Sequence, residues 1–499
     1  MNIFRKLRLF CIYFLPVTLF FSYYPLISLG ETDSMHLELS LPLIWLVLFS
    51  LISAPMIMRN FNLLIKKNKK FFFSSTICLF FISCSLFWTT NPLRGFLTSG
   101  ILWFILFSVF SFIDFFTIDE NVVNFTTFKQ NFIKIFFIST TVICLFCWFQ
   151  CLLDVFGIDR ETTLLCLGCT YKTFGFPHPS GFAIEPQFMG NILLAPTLLA
   201  FYFFIKQSQK KYLLLFAFFS ATLFIVFSRG AIYAFIVAFL IFIIHEFRTK
   251  TSLRKIILQI FTVFSAFLFA LFSQGIFSTL SNTNDTFFSG IDKSINQLSL
   301  GIIDLNFTQK ETSIGEKIDT DTNQTEPEKS IFDGYVEEST NTRLNLSEFA
   351  LYAWLKSPTS FFFGYGIGSA GTAMHGLFPE QINQKEIIQN EPLAILVELG
   401  FVGAATIIIV LIFIIKALKK SDKIFFIALG GAYFITLLFF SGLPNALHIY
   451  LLPPLLFFLI PKNNSVITNK IQNHNHERHK TKHSRTDNKI IRKRQMQKA

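Results

Sequence analysis

The sequence predicts an all-α protein that crosses a membrane many times. Of its 499 residues, 52% are hydrophobic, 68 are phenylalanine and only 15% are charged. Apolar runs of roughly 17–25 residues recur along the chain, and each is long enough to cross a hydrocarbon core of about 30 Å. Helices are expected rather than an open sheet, because the edge strands of a sheet leave backbone groups without hydrogen bonds in lipid.

Clusters of basic residues alternate with acidic or neutral loops, and this order predicts the side of the membrane on which each loop lies. Such clusters are typical of cytoplasmic loops, and they fall at residues 5–8, 59–70, 206–211, 248–255, 416–423 and after residue 462. The net charge of +12 is therefore a topological signal and does not indicate a nucleic-acid partner. The first apolar run lacks a small-residue cleavage site and is interpreted as a retained span.

Continuing this alternation predicts about twelve spans, with both termini in the cytoplasm. Residues 1–273 hold nine spans and a smaller outer loop near 157–187, and residues 274–390 form a large outer loop between spans 9 and 10. Within that loop, residues 310–338 are polar and acidic and are expected to be mobile. Residues 391–461 hold the last three spans and residues 462–499 a basic tail. The spans are predicted near 9–29, 40–58, 71–88, 96–117, 133–156, 188–205, 212–228, 231–245, 256–274, 393–415, 424–442 and 446–461.

The stretch YLLLFAFFSATLFIVFSRGAIYAFIVAFLIFII, residues 212–244, contains one charge, Arg229. As one helix it would measure about 50 Å, too long for an ordinary crossing. Because both flanks are basic, it is predicted to be a tight hairpin with Arg229 at its outer tip, where Gly230 permits the reversal. The simpler interpretation is a charge that marks a helix end and reaches into water.

A second arginine, Arg343, lies in the large loop within TNTRLNLSEFALYAWLKSP. Apolar residues recur there at helical spacing, Thr342 or Asn341 can cap the start, and Pro358 follows the end. This places Arg343 in the first turn of an amphipathic helix, where free N–H groups also attract anions. A surface arginine on a helix packed over the membrane domain is the simpler interpretation.

The predicted topology gathers further polar residues at the outer face: Glu185, His375, Gln389 and Asn390. Two arginines suit a pyrophosphate, because guanidinium groups bind its oxygens in pairs and stay charged. A carboxylate or a histidine there can take a proton from an attacking hydroxyl. The alternatives are that Glu185 stabilises a helix start and that His375 is a solvated loop residue.

No metal site or cofactor is predicted. Cys166 and Cys169 in the outer segment CLGC would form a disulfide in an oxidising compartment. A zinc site would need further ligands close to these cysteines, and His178 alone does not complete one. The glycine-rich FGYGIGSAGTAMHG follows no strand and is not a dinucleotide fingerprint. The His-rich basic tail is better explained by contact with anionic lipid.

Three segments in order along the chain resemble the signature of the O-antigen ligase and polymerase superfamily: FSRGAIYAFIVAFL, TRLNLSEFALYAWLKSPTSFFFGYGIGS and QNEPLAILVELGFVGAATIIIV. The resemblance covers roughly residues 180–415. It implies an architecture like that of the GT-C glycosyltransferases, in the bacterial inner membrane, with the active face and the large loop in the periplasm. The implied reaction is an inverting, metal-independent glycosyl transfer.

The resemblance also implies roles for individual residues. Arg229 and Arg343 match the arginines that hold the diphosphate of an undecaprenyl-linked glycan donor, and Asn390 and Glu398 match the start of the following span. The glycines of the E-x-G-x-x-G pattern at 398–403 have a simpler role in close helix packing. Gln389 departs from the family, because ligases carry a histidine there that is proposed to activate the acceptor hydroxyl, and glutamine is no base.

The segment FAIEPQF, with Glu185 as candidate base or sugar contact, resembles the S-E-P segment of polymerases, so polymerisation of lipid-linked repeat units of O-antigen, capsule or exopolysaccharide is favoured. A ligase or a protein O-oligosaccharyltransferase of the same superfamily is the alternative. Expected partners are the lipid-linked donor, the glycan acceptor and membrane lipids, with room for a chain-length regulator or a flippase.

A transporter or flippase with twelve spans is the competing class. The sequence argues against a transporter, because the long insert follows the ninth span and no repeat relates the two halves. A flippase would typically bury charges in several spans, and these spans hold almost none.

Overall fold

The computed structural model describes residues 2–32, 35–117, 125–156, 172–173, 176–183, 185–280, 286–299, 331–418, 422–442 and 446–460. These residues form helices joined by short connections and two small antiparallel hairpins, β1 (Ile27–Thr32) with β2 (Met35–Leu39) and β3 (Lys172–Thr173) with β4 (Phe176–Pro177). The helices are α1 (Asn2–Thr18), α2 (Leu41–Cys84), α3 (Pro92–Thr117), α4 (Phe125–Val155), α5 (Pro186–Gln207), α6 (Lys210–Val226), α7 (Arg229–Arg248), α8 (Leu253–Leu280), α9 (Phe287–Leu298), α10 (Ile331–Leu355), α11 (Pro358–Phe363), α12 (Ala370–His375), α13 (Glu391–Ala417), α14 (Lys423–Leu438) and α15 (Leu447–Leu459).

The fold is that of an all-α membrane protein, as the sequence predicts. Seven helices of the described part are long and apolar enough to cross a membrane, namely α2 with its 3₁₀ extension to Phe87, α3, α4, α5, α7, α8 and α13. Two predicted spans, 40–58 and 71–88, merge in α2, which is kinked at Asn68 within the basic run KKNKK. Because α14 and α15 are shorter apolar helices, the number of twelve spans stays a prediction.

Helix α5 is the centre of the bundle, since every residue from Met189 to Phe204 is buried. It packs against α6, α7 and α14. At Gly190 an added Cβ would lie 2.7 Å from the Ala231 Cβ and 2.9 Å from the Ser228 Cβ. A side chain at this position would therefore separate the two helices, and glycine allows the first turn of α5 to pack closely on the start of α7.

The chain reverses direction between α6 and α7, where the sequence predicts a hairpin tip, but the residues that make the turn differ from the prediction. Phe227 adopts the left-handed conformation with φ of 60°, and the Ser228 hydroxyl caps α7 by accepting from the Ala231 N–H at 3.4 Å. Gly230 lies inside the first turn of α7 and does not make the reversal. The hairpin is also not tight, because α7 packs mainly along α14 and α5.

Helix α13 is broken at Gly400, whose φ is 64°. The break leaves the Val397 and Glu398 carbonyls free of helical partners, and they accept from the Tyr365 N–H at 2.9 Å and the Gly366 N–H at 2.8 Å. The segment GYGIGS, residues 364–369, thus packs on the broken helix through backbone hydrogen bonds. We refer to these residues as the glycine segment. The glycines of E-x-G-x-x-G therefore have the packing role that the simpler interpretation assigned to them.

The opposite side of the glycine segment is fixed by the connection between α2 and α3. The Ile367 N–H donates to the Ser85 hydroxyl at 3.0 Å, and the Thr89 hydroxyl donates to the Ile367 carbonyl at 2.9 Å. A Cβ added at Gly366 would lie 2.5 Å from the Thr89 Cα. The segment is held between two transmembrane elements, which fixes the large loop on the bundle.

The large loop is more helical than the sequence suggests. Helix α10 begins at Ile331, well before the predicted caps Asn341 and Thr342, so Arg343 lies in the middle of α10 and not in a first turn. Of the segment predicted to be mobile, residues 331–338 are helical and 310–330 lie outside the described residues. Helix α8 continues to Leu280 and crosses the boundary predicted at residue 273.

A buried ion pair joins α1 and α3, which corrects the expectation that the spans hold almost no buried charge. The Arg8 Nη1 lies 2.7 Å from the Asp114 Oδ2, and both side chains are fully buried. Asp114 also accepts from the Asn60 amide of α2 at 2.8 Å, and Arg8 donates to the Ser111 carbonyl. Because a buried charge is tolerated only when paired, this network ties the first three helices together.

We expect Gly364→Ala to lower the thermal unfolding midpoint of the detergent-solubilised protein by several degrees. Gly364 has φ of 68° and ψ of −167°, a conformation that costs a non-glycine residue about 1–3 kcal/mol, and an added Cβ would also overlap the Glu398 carbonyl. Gly430→Ala is the matched control, because nothing lies within 4 Å of its added Cβ. Equal midpoints for the two variants would contradict the close approach of the glycine segment to α13.

Candidate functional site

The segment before α5 is held in place by a side chain of α4. The Gln150 amide donates to the Gly181 carbonyl at 3.0 Å, and its carbonyl oxygen accepts from the Gly181 N–H at 2.8 Å. Gly181 has φ of 59°, which favours glycine. The Phe182 ring stacks on Phe21 and on Phe146, each at 4.6 Å between centroids. These contacts fix the point at which the chain enters α5.

At the start of α5, a side-chain amide that the sequence analysis missed links a cation to a carboxylate. The Gln187 amide donates to the Glu185 carboxylate at 2.6 Å, and the Arg343 Nη2 donates to the Gln187 carbonyl oxygen at 3.4 Å. Arg343 and Gln187 are separated by 156 residues in sequence. The structure therefore brings together two of the predicted site residues, Glu185 and Arg343, with Gln187 between them.

Burial raises the pKa of the Glu185 carboxyl above its ordinary value. The hydrogen bond from Gln187 and the charge of Arg343 act in the opposite direction and limit this rise. A carboxylate with a raised pKa is a stronger base than a solvated glutamate, and it remains deprotonated at pH values above its pKa. Glu185 thus has the chemistry required to accept a proton from a hydroxyl.

Arg229 is the first residue of α7, and the start of α7 contacts the first turn of α5. Gln187 and Gly190 are three residues apart and therefore share one face of α5, and Gly190 is the residue that contacts Ser228 and Ala231. The helix crossing thus carries Arg229 on one helix and Gln187 on the other. The third residue at the crossing, Arg343, arrives from the large loop.

The first part of α13 gives a structural role to two predicted site residues. Asn390 is the N-cap of α13, because its side-chain oxygen accepts from the Leu393 N–H at 3.1 Å. The Gln389 side-chain oxygen is buried and has no hydrogen-bond partner among the described residues. The half-buried Glu398 accepts from the Ala370 N–H at 3.3 Å, at the start of α12. Asn390 and Glu398 therefore organise the backbone.

Two further charged residues at this end of the bundle were missed. The buried Glu391 accepts from the Ser441 hydroxyl and from the Gly442 N–H, both at 2.8 Å. Arg94, in the first turn of α3, acts electrostatically on both Glu391 and Glu398. A lone charge beside an apolar run, in NPLRGF, was the available signal for Arg94, and Glu391 directly follows the recognised Asn390.

His375 contacts a different part of the loop. Its Nδ1 lies 2.6 Å from the Ile382 carbonyl oxygen, and it lines a surface pocket of about 560 Å³ together with residues 379–385. None of the contacts of His375 is with Glu185 or Arg343. Between the two predicted candidates for the base, the contacts thus favour Glu185.

The described residues contain no group of three or more His, Cys, Asp or Glu side chains that could hold a metal ion. His178 is buried and packs edge-on against Phe227 at 5.5 Å between ring centroids. Cys166 and Cys169 lie outside the described residues, so their predicted disulfide stays a prediction.

The fold, together with the charged residues at the contact between α5 and α7, defines a multi-pass α-helical membrane protein with charged groups at one end of its bundle. Residues 214–408 match the family model described as O-antigen ligase. This match supports the resemblance to the O-antigen ligase and polymerase superfamily that the sequence indicated. Among curated proteins, no sequence matches the chain. The matched residues include α7, α10 and the first part of α13, and hence Arg229 and Arg343.

We expect Gln187→Leu to raise the pKa of Glu185 further, because the substitution removes a hydrogen bond that stabilises the carboxylate. Infrared spectroscopy would follow the protonated carboxyl band that disappears in Glu185→Gln, and this band should persist to higher pH in Gln187→Leu. Gln207→Leu, at the exposed far end of the same helix, should leave the titration unchanged. A band with the same titration midpoint in all proteins would exclude the contact.

Proposed function

We propose that this protein polymerises oligosaccharide repeat units linked to undecaprenyl diphosphate, at the periplasmic face of the bacterial inner membrane. The observation that carries the proposal is the contact chain from Arg343 through Gln187 to Glu185. This chain supports the proposal, because it links a guanidinium, which suits a donor diphosphate, through one amide to a carboxylate, which suits proton removal. The O-antigen ligase family match supports the choice of lipid-linked glycans as substrates.

In the proposed reaction, Glu185 removes the proton from an acceptor sugar hydroxyl, and the hydroxyl oxygen attacks the anomeric carbon of the donor glycan. The bond between that carbon and the phosphate oxygen breaks with inversion, and undecaprenyl diphosphate leaves with the electron pair. Arg229 and Arg343 stabilise the negative charge that develops on the leaving phosphates, since guanidinium groups bind such oxygens in pairs. The step needs neither a metal nor a cofactor.

Two observations favour a polymerase over a ligase. Gln389 stands where the ligases carry a histidine, and an amide cannot serve as a base near neutral pH. Glu185, by contrast, is partly buried, has a raised pKa and is linked to Arg343 through one residue. An O-antigen ligase or a protein O-oligosaccharyltransferase remains the alternative within the same superfamily.

Deletion of the gene separates these functions through the glycan that reaches the cell surface. For a polymerase, we expect gels of surface glycan to lose the ladder and to retain a single repeat unit on lipid A, because attachment does not require chain growth. Loss of every attached repeat would instead indicate a ligase. Unchanged glycan would exclude both and favour the transport of another substrate.

Arg229→Ala and Arg343→Ala should each reduce polymer formation by at least about a hundredfold, the usual cost of losing a group that stabilises charge in the transition state. Lysine at either position should restore only part of the activity, because a point charge cannot reproduce the planar fork. Arg248→Ala is the matched control, since Arg248 is exposed at the opposite end of α7. Polymer yield would be normalised to protein in the membrane, and a near-normal yield from either alanine variant would remove that arginine from the site.

A further inference from the structure

A second group of polar side chains lies beside the candidate site and has no part in the proposed chemistry. Tyr23 follows α1, Tyr433 lies on α14 and His448 on α15. His448 is 0% exposed, Tyr433 4% and Tyr23 5%. The imidazole of His448 meets the Tyr23 ring edge-on at 6.1 Å and the Tyr433 ring at 6.0 Å between centroids. We refer to these three residues as the tyrosine–histidine cluster.

The polar atoms of this cluster have no hydrogen-bond partners in the part of the chain that the structure describes. This holds for the hydroxyls of Tyr23 and Tyr433 and for both ring nitrogens of His448. A buried polar atom that pairs with nothing costs free energy comparable to a lost hydrogen bond. Four such atoms in one cluster indicate a place for a guest that both donates and accepts hydrogen bonds.

The walls around the cluster are aromatic. The Tyr23 ring stacks on Phe188 at 4.2 Å between centroids, and Phe440 contacts Tyr23 at 5.8 Å and Phe188 at 5.3 Å. Apolar rings combined with a few well-placed hydroxyl and ring nitrogen groups are typical of small-molecule sites. Sugar rings suit such walls, because their C–H faces pack on aromatic rings while their hydroxyls form hydrogen bonds.

The cluster is connected to the candidate site through two neighbouring residues. Phe188 lies in the first turn of α5, directly after Gln187. Phe439, which directly precedes the wall residue Phe440, packs beside Gly230. The Phe439 Cβ lies 3.6 Å from a Cβ added at that glycine, and Gly230 directly follows Arg229. A sugar held at the cluster would therefore lie next to the groups that are proposed to act on the glycosidic bond.

We infer that Tyr23, Tyr433 and His448 form a carbohydrate subsite that binds hydroxyls of one sugar of the lipid-linked glycan. Neutral imidazole provides one donor and one acceptor, and each tyrosine hydroxyl provides both. The inference deepens the proposed function and rests on it for the identity of the glycan. Trapped water has the same hydrogen-bonding chemistry, and the experiment is designed to distinguish the two.

The test uses Tyr23→Phe and Tyr433→Phe, which remove only the hydroxyl oxygens. The probe is the free oligosaccharide repeat unit, and its dissociation constant for the purified full-length protein is measured by saturation-transfer NMR titration without any catalysis. We expect each variant to bind roughly two- to tenfold more weakly, as for one lost hydrogen bond. The unfolding midpoint without saccharide should be unchanged or higher, because an unpaired buried group has been removed. Tyr352→Phe, on the exposed part of α10, is the control.

Unchanged saccharide binding together with a lower midpoint would show that the hydroxyls hold structural water, and it would overturn the inference. Unchanged binding with an unchanged or higher midpoint, or no binding by the unaltered protein, would overturn it as well. Failure of the proposed function is a separate result. A protein that makes no polymer but binds the saccharide more weakly in both variants would retain the subsite and exclude the polymerase.

Discussion

The break in α13 at Gly400 is the constraint on which the arrangement of the site depends. In a continuous helix the Val397 and Glu398 carbonyls would accept from their own helix, whereas here they accept from Tyr365 and Gly366. Buried backbone groups must be paired, so the glycine segment and the broken helix require each other. Because α11 and α12 flank this segment and α10, which carries Arg343, directly precedes α11, the docking also constrains where Arg343 lies.

The consequence of this docking is a charged contact between two distant parts of the chain. Arg343 reaches the entrance of α5 through Gln187, and Gln187 in turn holds Glu185. The Gln187 amide thus links the guanidinium to the carboxylate close to the place where a diphosphate is proposed to bind. Burial raises the pKa of the Glu185 carboxyl, and Gln187 and Arg343 limit that rise.

The two ends of the bundle use buried polar groups in different ways. The Arg8–Asp114 pair is closed, because the carboxylate oxygens of Asp114 are paired with Arg8 and Asn60, and such a network ties helices together. The tyrosine–histidine cluster is open, because its hydroxyls and ring nitrogens pair with no described residue. The first pattern is typical of structure and the second of binding.

The sequence by itself determined the membrane class and the positions of most helices, because a helix in lipid satisfies its backbone within its own apolar run. It also located Arg229 at a reversal, from the length of the run and its basic flanks. Local preference failed at that same turn, where Phe227 and not Gly230 takes the left-handed conformation, and at α10, which begins at Ile331. Only the tertiary structure decided that Gln187 joins Arg343 to Glu185 and that His448 lies between two tyrosines. These contacts join residues far apart in the chain, and no local spacing or periodicity encodes them.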